Sequence, residues 1–156
     1  ISFTEEFFKY LVVKMKVLNS PHVDEPLDIM LYMVIAALGF AALENILFLL
    51  KVFGGHGMLA GLITGNLRFL GATLLHVVSS AIVGASVAFS FFHKEKLIRN
   101  VLGGLLFATI LHTLFNFFII NGGDTNLFKI LIPLWLAVVI LFFIFEKIKG
   151  LKKNNF

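Results

Sequence analysis

Residues 97–120 read LIRNVLGGLLFATILHTLFNFFII, and this stretch decides the fold. A helix that crosses a lipid bilayer needs about 20 mostly apolar residues, and this run is long and apolar enough to do so. It nevertheless contains His112 and Asn116. The stretch therefore predicts a transmembrane helix that holds polar side chains at membrane depth.

Three further stretches have the same character, so the sequence predicts an all-α, polytopic transmembrane helix bundle with four full spans. The other three spans are expected at about 28–50, 68–92 and 127–145. An N-terminal helix is predicted from Phe3 to Leu18, and the Gly-rich segment from Gly54 to Asn66 is predicted to be a loop or a re-entrant turn. The composition agrees, because 59% of the residues are hydrophobic and only 14% are charged, whereas soluble domains are about 25% charged.

The length allows a single domain over residues 1–156. The chain begins with Ile1 rather than Met, so we expect it to be N-terminally incomplete. It contains no cysteine, which excludes disulfides and iron–sulfur clusters.

The basic residues indicate how the chain is oriented. They cluster at the end of the N-terminal helix, between the second and third spans and after the fourth, whereas the loop from Asn121 to Asn126 has none. Since Lys and Arg accumulate in cytoplasmic loops, we expect a multi-pass protein of the cell (plasma) membrane with a cytoplasmic C-terminus. These loops also account for the net charge of +4, and no nucleic-acid partner is expected.

Ionisable side chains at membrane depth are costly, and they persist where they face a cavity or one another. The polar residues predicted at this depth are Glu5, Glu6, Glu44, Asn45, His76, His112 and Asn116. At 1.5 Å per residue, each histidine is expected roughly 12 Å from the outer end of its predicted span. We expect these groups to meet around one pocket in the middle or outer half of the membrane.

Each residue also has a purely structural explanation. A single histidine can hydrogen-bond to a nearby serine, and Asn116 can join two helices. Lys9 is expected to pair with Glu5, four residues away. Arg68 is expected to anchor the second span at the membrane interface. The whole set is harder to explain in this way than its single members.

Two adjacent carboxylates and two histidines are groups from which a hydrolase can be built. A carboxylate at low dielectric can take a proton from water, and a histidine beside an asparagine can donate hydrogen bonds to an oxyanion. Two histidines and a glutamate also suffice for a zinc site, although the chain has no His-Glu-x-x-His helix. The cofactor is therefore left unassigned, with a divalent metal such as zinc as the candidate.

Four ordered motifs resemble those of the PrsW family of intramembrane proteases, within the larger group that includes the CAAX prenyl endopeptidases. Residues 5–9, EEFFK, are similar to the family's Glu-Glu-x-x-Lys, and residues 40–45, FAALEN, to its Phe-x-x-x-Glu-Asn. Arg68, His76 and Gly84 are similar to its Arg…His…Gly helix. Residues 112–116, HTLFN, are similar to its His-x-x-x-Asn.

The resemblance implies a CAAX-protease-like core and an endopeptidase that cuts a membrane-associated protein, as in site-1-type cleavage of an anti-sigma factor. It assigns water activation to Glu5 and His76, and oxyanion stabilisation to His112 and Asn116. The expected catalytic residues are Glu5, Glu6, His76, His112 and Asn116, and the expected supporting residues are Lys9, Glu44, Asn45 and Arg68.

The expected partners are the lipid bilayer and a membrane-protein substrate, and the oligomeric state is left open. Four other functions are compatible with the residues: a CAAX-type prenyl-peptide endopeptidase, a proton-coupled transporter, a b-type haem protein ligated by His76 and His112, and a non-catalytic scaffold. A pocket nearer the outer face favours the PrsW-like activity over prenyl-peptide processing, because a prenylated C-terminus arrives from the cytoplasm.

Overall fold

The computed structural model describes the backbone of residues 1–53, 58–121 and 127–151, and the side chains of these ranges except 53, 58–68, 119–121 and 127–130. The described residues form five α-helices, joined before the fourth by a short 3₁₀ turn at Lys94–Lys96. The helices are α1 (Ser2–Lys16), α2 (Pro26–Phe53), α3 (Met58–Ala88), α4 (Leu97–Asn121) and α5 (Leu127–Lys149). The predicted all-α fold is confirmed.

Four of these helices are long and apolar enough to cross a membrane. The qualifying ranges are Pro26–Val52, Phe69–Ala88, Lys94–Phe118 and Leu131–Lys149. The outer surfaces of α4 and α5 carry large apolar side chains, among them Phe107, Phe142 and Phe143, which are 67%, 69% and 74% exposed. Such surfaces suit contact with lipid rather than water, and the four predicted spans are confirmed.

The predicted loop from Gly54 to Asn66 is wrong from Met58 onward, where α3 begins; residues 54–57 lie outside the described residues. A glycine inside a helix costs only about 1 kcal/mol relative to alanine. In lipid, a continued helix also satisfies backbone groups that a loop would leave without partners. His76 therefore lies roughly 27 Å along α3 from its first residue, instead of the roughly 12 Å predicted from a later start.

The central helix is α3, which packs against α1, α2, α4 and α5. Small residues on α3 and α4 permit this close packing. A Cβ atom at Gly84 would lie 2.8 Å from the Cα of Met30 on α2, and one at Gly104 of α4 would lie 2.8 Å from the Cβ of Ser86 on α3. Helices α2 and α4 therefore lie close enough to α3 for their polar side chains to meet.

The short helix α1 packs against α2, α3 and α4 with one face. Its buried residues include Glu6, Lys9, Tyr10 and Val13. Lys9 and Tyr10 are adjacent, and each lies three or four residues from both Glu6 and Val13, so the four share one side of the helix. The fold thus directs a carboxylate and an ammonium group of α1 into the bundle.

Candidate active site

The carboxylate of Glu6 is fully buried and joins three helices. Its Oε1 accepts hydrogen bonds from Lys9 Nζ at 2.8 Å and from His112 Nδ1 at 2.9 Å. Its Oε2 accepts a hydrogen bond from Ser80 Oγ at 3.0 Å. A buried charge is tolerated when it is paired and hydrogen-bonded in this way. Glu6 therefore fixes α1 against α3 and α4.

The ring of His76 is fixed through both of its nitrogens. Lys9 Nζ lies 2.8 Å from Nδ1, and Glu44 Oε2 lies 2.6 Å from Nε2. An ammonium group has no acceptor, so Nδ1 accepts the hydrogen bond from Lys9 and Nε2 donates to Glu44. The ring of Phe40 packs against this arrangement, 5.3 Å from the His76 ring and 4.8 Å from Lys9 Nζ.

His112 lies between the two adjacent carboxylates of α1. Because its Nδ1 donates to Glu6, a neutral His112 has its lone pair at Nε2, and this atom faces Glu5 Oε2 at 3.4 Å. A lone pair and a carboxylate repel each other unless a proton or a cation lies between them. The Glu5 side chain is 20% exposed to solvent, whereas the Glu6 side chain is 0% exposed. Glu5 is therefore the carboxylate of the pair that an incoming molecule can reach.

The two histidine rings contact each other edge to face, with centroids 5.0 Å apart and planes at 81°. A porphyrin between two axial ligands would need the rings to stand apart on its opposite faces. The direct contact between the two rings therefore disfavours the haem alternative.

The structure brings six of the nine sequence-predicted site residues into direct contact: Glu5, Glu6, Lys9, Glu44, His76 and His112. Asn45 lies beside them, where its Nδ2 donates to Thr73 Oγ1 on α3 at 3.2 Å. Asn116 is half-buried one turn beyond His112 and makes no side-chain hydrogen bond to the residues that the structure describes. Arg68 lies on α3, and its side chain is outside the described residues.

The predicted pair of Lys9 with Glu5 is wrong, since Lys9 binds Glu6 instead. Glu6 and Lys9 both point into the bundle, and burial of an unpaired ammonium would be costly. Sequence reasoning also left out Ser80, Thr73 and Phe40 as site residues. Signals for two of them were present, because Ser80 lies one turn after His76 and Phe40 begins the FAALEN motif.

Three of these residues can hold a metal ion, because a ligand atom from each of Glu5, His76 and His112 lies within 4.8 Å of the other two. Two histidines and a carboxylate are a donor set of catalytic zinc sites. Ligands bonded to zinc in a tetrahedron are about 3.3 Å apart, close to the 3.4 Å between Glu5 Oε2 and His112 Nε2. Glu6 on the far nitrogen of His112 is the outer-shell carboxylate that such ligands usually have. Both nitrogens of His76 contact other side chains, Lys9 and Glu44, so one of these contacts would open on metal binding. The residues fit a divalent metal.

The fold and this cluster define a class of protein: a polytopic helical membrane protein with a carboxylate–imidazole site assembled between its helices. The sequence model of the PrsW family of intramembrane metalloproteases matches residues 1–145. The chain belongs to this family.

A curated relative, the Protease PrsW of Geobacillus kaustophilus (strain HTA426), is 31% identical over 139 residues. The matched region covers 86% of this chain and 57% of the relative. The chain therefore spans a little over half the length of the relative that it matches. No solved structure matches the chain.

Proposed function

We propose that this chain carries the active site of an intramembrane endopeptidase that hydrolyses a peptide bond in a membrane-associated protein. The observation that supports this function most directly is the partly exposed Glu5 carboxylate facing His112 Nε2, with His76 beside them. Family membership and the name of the relative support the same activity. The buried contacts of Glu6 provide the rigid support that a catalytic group needs.

In this proposal, Glu5 takes a proton from a water molecule while the water oxygen attacks the carbonyl carbon of the scissile bond. His76 borders the same space and orients the water once one of its ring contacts, to Lys9 or to Glu44, opens. Nε2 of His112, when protonated, and the amide of Asn116 donate hydrogen bonds to the oxyanion of the tetrahedral intermediate. Glu5 then gives its proton to the leaving nitrogen as the C–N bond breaks, which yields a carboxyl terminus and an amine.

The metal-dependent form of this proposal is an alternative to the metal-free steps above. A zinc ion held by Glu5, His76 and His112 would act as a Lewis acid that polarises the water and the substrate carbonyl, and Glu5 and His112 would then serve as ligands instead of as base and oxyanion donor. Glu6 and Lys9 would support that set by keeping His112 and His76 in place.

The substrate that we favour is cut in or near the outer half of the membrane, as in site-1-type cleavage of an anti-sigma factor. His112 lies nine residues, roughly 13 Å, before the end of α4, and Glu44 lies equally far before the end of α2. On α3, which extends further at this end, His76 lies roughly 27 Å from the first residue. These are the outer ends if the basic residues face the cytoplasm of a plasma-membrane protein. The basic residues gather at the other end of the bundle, where Lys14 and Lys94 line one cavity and Lys147 Nζ lies 5.8 Å from the Phe89 ring centroid.

The test is cleavage of a single-pass substrate by the full-length protein in lipid nanodiscs. Glu5→Gln and His76→Ala should each lower the rate at least about 100-fold. Glu25→Gln and His22→Ala are the matched controls, since both residues are exposed on the α1–α2 connection, and both variants should cleave normally. Unchanged cleavage in both site variants would exclude the proposed site. A preference for a prenylated cytoplasmic peptide as substrate would favour the CAAX-type alternative.

A further inference from the structure

A cavity of about 480 Å³ lies at the opposite end of the bundle from Glu44. Its polar lining comes from α1, from the α1–α2 connection and from the turn between α3 and α4. These side chains are Tyr10, Lys14, Asn19, Ser90 and Lys94. The remaining wall is apolar, so the cavity offers both a polar and a hydrocarbon surface to one ligand.

The charge of this cavity is positive. Lys14 and Lys94 are its only charged lining residues in the part of the chain that the structure describes. The carboxylates of Asp28 and Glu95, near the same end of the bundle, contact other groups. Asp28 Oδ2 accepts backbone N–H groups of residues 24 and 25, and Glu95 Oε1 lies 3.1 Å from His93 Nδ1. An anion that enters the cavity therefore meets two ammonium groups.

Neutral donors complete the polar wall. Ser90 Oγ accepts a hydrogen bond from Asn100 Nδ2 at 2.7 Å, which leaves the hydroxyl proton of Ser90 to donate. The amide of Asn19 adds N–H donors. A phosphate group needs such a set of donors around its oxygens.

The surrounding residues indicate where the ligand comes from. The two lysines belong to the basic clusters that predict the cytoplasmic end of the bundle. Anionic phospholipids are concentrated in the cytoplasmic leaflet, and basic pockets between membrane helices bind their headgroups. We propose that this cavity binds an anionic phospholipid, with its phosphate between Lys14 and Lys94 and its hydrocarbon along the apolar wall.

This lipid would join α1 to the start of α4, because Lys14 is on α1 and Lys94 directly precedes α4. Lys14 lies eight residues after Glu6 on the same helix. Binding would therefore stabilise the docked position of the helix that carries the two glutamates. The inference concerns lipid binding and stability, and it does not depend on proteolysis.

The test compares the full-length protein in nanodiscs of phosphatidylcholine with the protein in an equimolar mixture of phosphatidylcholine and phosphatidylglycerol. Native mass spectrometry reports the retained lipid, and thermal unfolding reports the stability. We expect retained phosphatidylglycerol and a higher unfolding midpoint in the mixed discs. The double variant Lys14→Gln/Lys94→Gln should lose most of both effects. The matched control, Lys16→Gln/Lys149→Gln, removes two exposed lysines at the same end of the bundle that do not line the cavity. This control variant should still retain phosphatidylglycerol and show the higher unfolding midpoint.

Three results would overturn the proposal. The first is equal stability of the wild-type protein in the two kinds of disc with no retained phosphatidylglycerol. The second is an equal loss of retained phosphatidylglycerol and of stabilisation in the cavity variant and in the control variant, which would show a general charge effect. The third is the same stabilisation by inorganic phosphate added to phosphatidylcholine discs, which would show an anion site rather than a lipid site.

Discussion

The two adjacent glutamates of α1 should respond differently to the same substitution. Glu6→Gln removes a fully buried charge, whereas Glu5→Gln changes a partly exposed side chain that faces His112. We expect Glu6→Gln to lower the stability of the folded protein strongly. We expect Glu5→Gln to abolish cleavage while leaving the stability nearly unchanged.

The contacts of each carboxylate set the magnitudes. Glu6 accepts hydrogen bonds from Lys9, His112 and Ser80, and its loss removes the carboxylate to which the buried Lys9 ammonium is hydrogen-bonded. Breaking a buried ion pair by removing one partner costs about 3–5 kcal/mol. Within the described residues, the Glu5 carboxylate has one long contact, of 3.4 Å to His112, and is 20% exposed, so its loss should cost less than about 1 kcal/mol.

The assay is unfolding by SDS in mixed micelles, followed by helicity, in parallel with the cleavage rate in nanodiscs. Glu25→Gln, at an exposed position before α2, is the control for a charge change alone. Equal loss of stability in Glu5→Gln and Glu6→Gln would refute the assignment of the buried, supporting role to Glu6. Full cleavage by Glu5→Gln would refute its assignment as the base.

Three further predictions concern packing, metal binding and orientation. Gly84→Ala should lower the stability by about 1–3 kcal/mol because its Cβ would lie 2.8 Å from the Cα of Met30. A Cβ at Gly39 would have nothing within 4 Å, so Gly39→Ala should raise the stability by up to about 1 kcal/mol. Equal effects of the two substitutions in the unfolding assay would contradict the close packing at Gly84. In the metal-dependent form of the proposal, the purified protein retains zinc, measured by elemental mass spectrometry, and His112→Ala loses it while keeping its helicity. Retention by the variant would remove His112 from the ligand set, and a wild-type protein without zinc would leave the metal-free form. The chain has no native cysteine, so Lys149→Cys should react with an impermeant maleimide only after cell lysis, and labelling of intact cells would reverse the orientation.

The helices could be predicted because a membrane span leaves a strong signal. A run of about 20 apolar residues has few other stable structures, which is why the span at 97–120 was correct to within one residue of α4. The start of α3 was missed, because glycines signal turns in water. Lipid instead favours a continuous helix, which satisfies every backbone group. The local sequence pattern alone does not show whether a glycine-containing segment lies in water or in lipid.

The residues of the site were predictable by type and depth, but their pairing was not. Lys9 is four residues from Glu5 and three from Glu6, and both spacings permit an ion pair on a helix. The choice of Glu6 depends on which face of α1 the other helices cover. The contact of His76 with Glu44 likewise depends on the close approach of α2 to α3, which no single stretch of sequence encodes.

A double-mutant cycle between Glu6 on α1 and His112 on α4 tests most directly whether these helices share one site. Glu6→Gln, His112→Ala and the double variant are compared by the free energy of unfolding in mixed micelles. The 2.9 Å contact between the two side chains predicts a coupling energy of about 0.5–3 kcal/mol. Glu6→Gln combined with Lys149→Gln, at the far end of α5, should be additive. Additive effects for Glu6 and His112 as well would contradict the convergence of these helices on a common site.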